Sequence, residues 1–90
     1  MSELRKFTEK LEKALYLTSN VLEQELIADI SVCIHANEGV IAFEILCSNL
    51  YEFDLPISKE TYELLEDIGT ELETKKHFHE NLKPLIIPNS

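Results

Sequence analysis

Carboxylate, imidazole and thiol groups are the side chains of this chain that could bind a metal ion or catalyse a reaction; its 90 residues include 17 Asp and Glu, 3 His and 2 Cys. His77 and His79 are two residues apart, whereas the paired histidines of a zinc-binding helix are four apart and share one face. His35 adjoins an apolar stripe, where we expect a hydrogen-bonded structural histidine. There is no glycine-rich phosphate loop and no serine nucleophile motif. The sequence therefore predicts a protein that is not an enzyme, with no catalytic residue, metal or cofactor.

The two cysteines, Cys33 and Cys47, lie inside apolar segments. A secreted disulfide framework requires more cysteines than these, and a free cysteine packs as a small hydrophobic residue. We therefore expect reduced thiols in the core.

Residues 1–6 contain no apolar signal core, and no segment approaches the roughly 18 apolar residues of a membrane span. These features predict a cytoplasmic protein with no membrane partner.

The net charge of −9 belongs to the middle of the chain. Residues 23–73 hold thirteen acidic residues and a single basic one, Lys59, whereas the segments on either side are slightly basic. A surface of this charge repels nucleic acid and anionic membranes and attracts a basic protein surface. The composition therefore favours a basic protein partner and disfavours direct nucleic-acid binding.

Carboxylates at helical spacing form the most distinctive pattern in this acidic region. Four of them lie within about 80° of one another on a helical wheel, and two more extend the same side. They are Glu60, Glu63, Asp67 and Glu71, extended by Glu66 and Glu73. Like charges four residues apart cost an isolated helix roughly 0.2–0.5 kcal/mol per pair, and the helix dipole favours acids only in the first turn. This cost indicates a function for the acidic side of the helix.

Aromatic residues adjoin these carboxylates in the sequence. Rings that lose water on contact, surrounded by acids that steer a cationic partner, are typical of a protein interface. The predicted partner-binding residues are Tyr51, Glu52, Phe53, Asp54, Glu60, Tyr62, Glu63, Asp67 and Glu71. The alternative is a solvated face that only keeps the protein soluble, but that kind of face usually includes interspersed lysines.

Apolar residues at three- and four-residue steps predict helices as the elements that carry these groups. The first begins after Ser2 and ends near Leu17, before the polar segment 18–20. Asn20 and Glu23 have the spacing of a capping box, which predicts a second helix to about residue 36. Asn37 is the predicted N-cap of a third helix, which must end before Pro56.

The fourth helix is predicted to start at the cap residue Ser58, and its buried side contains Thr61, Leu64, Leu65, Ile68 and Leu72, with Tyr62 and Gly69 flanking it. A short last helix contains Phe78 and Leu82, and the apolar residues 85–87 are expected to pack back across the bundle. Ninety residues suffice for one domain, residues 1–90. The predicted fold is all-α: a small antiparallel bundle of four helices plus a short C-terminal helix.

Three short segments of the chain carry a family resemblance. They are Asn37-Glu38-Gly39-Val40-Ile41-Ala42-Phe43-Glu44-Ile45-Leu46-Cys47, the segment Leu50-Tyr51-Glu52-Phe53-Asp54-Leu55-Pro56-Ile57-Ser58, and Tyr62-Glu63-Leu64-Leu65. Together they resemble the MafI family of immunity proteins and related immunity proteins of contact-dependent inhibition. The resemblance extends from about Glu38 to Leu72, a little over a third of the chain, and its motifs are mainly structural.

The resemblance implies a small helical protein that stays in the cytoplasm of a toxin-producing bacterium and binds the C-terminal domain of a polymorphic secreted toxin. Toxins of this kind are often nucleases, including RNA-cleaving enzymes of the EndoU type. A nuclease needs cationic residues for phosphate, which agrees with an acidic inhibitor. No catalytic residue is implied, and Glu52, Asp54, Glu60 and Glu63 are predicted contacts from charge and position alone.

Two other function classes compete with an immunity protein. An acidic helical adaptor or regulatory module would recognise a neutral or helical partner through apolar surface, with binding insensitive to salt. A small hydrolase that uses paired carboxylates would show turnover that a Glu-to-Gln change at one site abolishes. The sequence leaves the oligomeric state open.

Overall fold

A computed structural model describes residues 2–72 and 76–88, with side chains described for 5–72 and 77–88. The helices are α1 (Ser2–Leu17), α2 (Gln24–His35), α3 (Gly39–Glu52), α4 (Lys59–Glu71) and α5 (Lys76–Glu80), followed by a 3₁₀ turn at Lys83–Leu85. This part of the chain confirms the all-α prediction of four helices and a short fifth. Leu82 lies just after α5, and the predictions for the side chains of Ser2, Leu4 and Glu73 fall outside the described residues.

The core lies around α1, which packs against α2, α3 and α4, while α5 packs against α3 and α4. From α1, Leu11 and Ala14 are almost completely buried, as the helical spacing predicted. Phe43 of α3 is fully buried and meets the ring of Phe78 edge-on, with ring centroids 6.3 Å apart. The other almost fully buried large apolar side chains are Ile30, Leu46, Leu50, Leu65, Ile68 and Leu82.

Helices α2 and α3 each end in a left-handed residue that is not glycine. After α3, Asp54 has φ 50°, the N–H of Leu55 donates to the carbonyl of Leu50 at 3.0 Å, and the N–H of Asp54 donates to Tyr51 at 3.3 Å. These two bonds define a Schellman motif, in which the left-handed residue satisfies the last carbonyls of the helix. The structure therefore gives Asp54 a structural position as well as an exposed side chain.

The same motif ends α2 and corrects the prediction for Asn37. Asn37 has φ 65° and donates its N–H to Ile34 at 3.2 Å, while Glu38 donates to Cys33 at 2.8 Å. Asn37 thus terminates α2, and the N-cap of α3 is Glu38, whose side chain makes no capping bond. Asparagine is favoured both at N-caps and in the left-handed conformation, so its type alone did not distinguish the two.

The predicted capping box at Asn20 and Glu23 is also wrong. Glu23 is itself the N-cap of α2, and its side chain makes no capping hydrogen bond. The chain instead turns at buried Thr18, whose hydroxyl donates to the carbonyl of Ala14 at 2.9 Å. Leu22, in the segment after this turn, is buried, and α2 starts at Gln24, four residues after Asn20. At α4 the prediction is confirmed, since Ser58 Oγ accepts the N–H of Thr61 at 3.0 Å.

The C-terminal segment packs back on the bundle, as predicted. Ile57 and Ile86 form an isolated parallel bridge, in which Ile57 donates its N–H to Leu85 at 3.1 Å and Ile87 donates to Ile57 at 2.8 Å. Ile57 is buried, and Leu85 and Ile86 pack against the core. This bridge fixes the connection between α3 and α4, where several predicted contact residues lie.

Helix α5 lies so close to α4 that it buries Tyr62. The imidazole of His79 occupies the space that a Cβ on Gly69 would fill, and its ring meets that of Tyr62 edge-on with centroids 6.2 Å apart. Tyr62 is 6% exposed and His79 is 4% exposed. The ring of Tyr62 is therefore covered by the protein itself and offers little surface for a partner, and its role as a contact stays a prediction.

Candidate partner-binding surface

The acidic ridge, defined as Glu60, Glu63, Asp67 and Glu71, is exposed along α4 as the helical spacing predicted. Lysines of the neighbouring helix α1 lie beside it. Lys13 is 3.3 Å from Glu60, and Lys10 is 2.6 Å from Glu71 and 3.7 Å from Asp67. The ridge therefore has interspersed lysines after all, supplied by a helix distant in the sequence.

Lys10 offsets a repulsion that the sequence analysis attributed to function. Asp67 and Glu71 are like charges four residues apart, and the ammonium of Lys10 reaches both carboxylates. The hydrogen bond to Glu71 raises the pKa of Lys10, and the charges of Glu71 and Asp67 act in the same direction against the desolvation that lowers it. Part of the ridge thus serves the packing of α1 on α4.

The exposed aromatic residues at the end of α3 lie in two different grooves. Tyr51, 56% exposed, lines a groove of about 350 Å³ with Glu52 and with His77 and Phe78 of α5. Phe53, 62% exposed, lines a groove on the side of α2. The described grooves place neither ring with the carboxylates of α4: Glu60, Glu63 and Asp67 line a third groove, and Glu71 lines a fourth. The predicted contact residues thus line different grooves of the described structure.

The groove beside Phe53, which we call the α2–α3 groove, combines apolar walls with uncompensated carboxylates. Its volume is about 480 Å³. The apolar residues that line it are Val21, Leu22, Leu26, Phe53 and Leu55, and the polar ones are Glu23, Glu25, Asp29 and Asn49. No lysine or arginine lines it, and among the described residues the ion pairs involve none of its three carboxylates.

Glu23, Glu25 and Asp29 were not among the predicted partner contacts. Glu25 and Asp29 are four residues apart on α2, the same like-charge spacing that drew attention to α4. The helix dipole accounts for Glu23 and Glu25 at the start of α2, but Asp29 lies beyond the first turn. Applied to α2, the spacing argument would have found this pair, and only the fold places Phe53 beside it.

His35, Cys33 and Cys47 take part in contacts within the bundle. His35 is exposed, with Nδ1 2.9 Å from the carbonyl oxygen of Ser31 and Nε2 3.2 Å from Glu12, so it links α2 to α1. Both thiols are free: Cys33 is half-buried, and Cys47 is buried, which raises the pKa of its thiol well above the ordinary range. Within the described part of the chain, no three His, Cys, Asp or Glu side chains are grouped to hold a metal ion.

Comparisons with known proteins identify no relative: no family model, curated protein or solved structure matches the chain. The resemblance to immunity proteins therefore stays a prediction. In residues 2–72 and 76–88, none of the helices combines the length and the apolar character that a membrane crossing requires.

Proposed function

We propose that this chain is a cytoplasmic immunity protein that binds a basic toxin domain and neutralises it by electrostatic and steric occlusion. The observation that carries this proposal is the α2–α3 groove, which the exposed ring of Phe53 lines together with three carboxylates that form no ion pair with the described residues. A cationic, partly apolar partner would cover the apolar surface of this groove and pair with its carboxylates.

The charge of the whole molecule supports the same partner class. A net charge of −9 on 90 residues accelerates association with a cationic protein and opposes association with nucleic acid. A nuclease toxin, such as an RNA-cleaving enzyme of the EndoU type, must bind phosphate and therefore presents such a cationic surface. In this role the chain needs no catalytic residue and no cofactor, because it acts by covering its partner.

Co-expression tests the proposal most simply. Expression of the product of the adjacent reading frame alone should arrest bacterial growth, and co-expression of this chain should restore growth and yield a complex that co-purifies. An arrest that this chain does not relieve would contradict the proposal. A turnover assay of the purified chain on ester, phosphodiester and glycoside substrates is the complementary control, with no activity expected.

A second candidate function, an adaptor that recognises an apolar partner, is favoured by a separate observation. Val32 is 66% exposed, and Val40 and Ile41 at the start of α3 line a groove with Phe7 and Leu72. Light scattering over a range of protein concentrations separates the two candidates. An adaptor that self-associates would form salt-insensitive oligomers, whereas an immunity protein binds its toxin and loses that binding at high salt.

A further inference from the structure

We infer that the α2–α3 groove takes a basic amphipathic segment of the partner, with a large apolar side chain inserted against Phe53 and flanking lysines or arginines paired with Glu23, Glu25 and Asp29. This inference rests on the proposed function and names the contact surface within it. It keeps Phe53 from the predicted contacts and assigns the charged contacts to carboxylates on and before α2 instead of those of α4.

The acidic residues of α4 and of α2 differ in whether a lysine of the same chain pairs with them. On α4, Lys10 reaches both Asp67 and Glu71, so the repulsion between these like charges is offset inside the molecule. On α2, Glu25 and Asp29 have the same spacing, and the described residues provide no cation for either of them. A cationic side chain of the partner therefore gains more electrostatic stabilisation from the carboxylates of α2 than from those of α4.

The α2–α3 groove also has apolar walls that an inserted side chain can contact. Leu26 and Leu55 are half-buried in its walls, and Phe53 leaves most of its ring in water. A volume of about 480 Å³ lies within the range of roughly 300–1,000 Å³ that ligand pockets occupy, which suits inserted side chains. An apolar side chain in this space would cover Phe53 and remove water from the carboxylates around it.

Hydrogen bonds hold the backbone around Phe53. Phe53 is the last residue before the left-handed Asp54, and the Schellman motif and the Ile57–Ile86 bridge fix the backbone that follows it. An aromatic side chain held on a fixed backbone loses little conformational freedom on binding, which is typical of the residues that dominate interface energies.

Two peptides serve as probes of the groove. The first has about five helical turns, with leucines on one face and lysines elsewhere, and the second replaces every lysine with glutamate. Amide NMR spectra of the isotope-labelled full chain should show shifts for residues 21–29 and 49–55 with the basic peptide and none with the acidic one. Shifts concentrated on residues 59–71, or no binding of the basic peptide, would overturn the inference.

Two matched pairs of variants then test the residues. Glu25→Gln with Asp29→Asn should weaken binding of the basic peptide about tenfold at low salt, whereas Glu63→Gln with Asp67→Asn removes the same charges from α4 and should change it less than about threefold. Phe53→Ala should weaken binding about thirtyfold, and Tyr51→Ala, an equally exposed ring in the other groove, less than about threefold. Equal effects within either pair would overturn the inference, and thermal unfolding verifies that each variant is folded.

Growth protection distinguishes failure of this inference from failure of the proposed function. If the wild-type chain relieves toxicity and both groove variants relieve it equally well, the inference is wrong while the immunity function stands. If the wild-type chain relieves no toxicity, the proposed function is wrong, and the peptide spectra still decide whether the groove takes a basic segment.

Discussion

At the scale of single residues, variants of Asp54 can distinguish the structural role of its backbone from a binding role of its side chain. Its backbone has φ 50°, a conformation that glycine adopts at lower cost than aspartate. We expect Asp54→Gly to leave the free energy of unfolding unchanged or raise it by up to about 1 kcal/mol, and Asp54→Ala to lower it by about 1 kcal/mol. Urea denaturation measures both. A loss of partner binding in a stable Asp54→Gly variant would show that the side chain of Asp54 contacts the partner.

Tyr62 gives a prediction about stability at high pH. Burial raises the pKa of its hydroxyl, and the charges of Glu66 and Glu80 raise it further, so the folded state disfavours the phenolate. Because the unfolded chain ionises first, the stability present below the ordinary tyrosine pKa of 10.0 is lost progressively as the pH rises above it. Cys47 and Lys10, whose pKa values are also raised, act in the same direction.

The variant Tyr62→Phe tests this account. The hydroxyl is buried and finds no hydrogen-bond partner among the described residues, so its removal should leave the free energy of unfolding at neutral pH unchanged or raise it by up to about 1 kcal/mol. Denaturant titrations at a series of pH values should show a smaller alkaline loss of stability in Tyr62→Phe than in the wild type. Tyr16→Phe, a change at an exposed ring, should follow the wild type.

At the scale of elements, the contact between α4 and α5 depends on Gly69. Alanine in place of glycine normally stabilises a helix by about 1 kcal/mol, but here its Cβ would overlap the imidazole of His79. We expect Gly69→Ala to lower the free energy of unfolding by about 1–3 kcal/mol, measured by urea denaturation. Adding His79→Ala to it should make the glycine-to-alanine step favourable again; if Gly69→Ala alone is stabilising, α5 does not pack as described.

The secondary-structure elements also show why some sequence predictions were confirmed and others were wrong. Ser58 could be predicted as a cap because its hydrogen bond with Thr61 joins residues only three apart in the sequence. Tyr62 lies at the border of the apolar side of α4, and its burial depends on α5 folding over it, which no helical wheel represents. Lys10 and Glu71 are sixty-one residues apart, so their pairing required the packed bundle.

At the scale of the whole molecule, the fold places the predicted acidic and aromatic contact residues in different grooves. Local periodicity was enough to predict the helices and the core, because burial of one helix face is a repeating, short-range pattern. The grooves are formed by side chains of different helices, so their composition depends on how α1, α2 and α5 pack. Phe53 was predicted as a contact, yet its acidic neighbours on α2 became visible only in three dimensions.

The salt dependence of association with the co-purified toxin domain is the most direct test that the chain binds a basic partner by charge and shape. Stopped-flow measurements between about 20 and 300 mM salt cover screening lengths from well above to below 10 Å. We predict an association rate constant that falls at least about tenfold over this range, with a much smaller change in the dissociation rate constant. An association rate constant that does not change with salt would contradict the central claim.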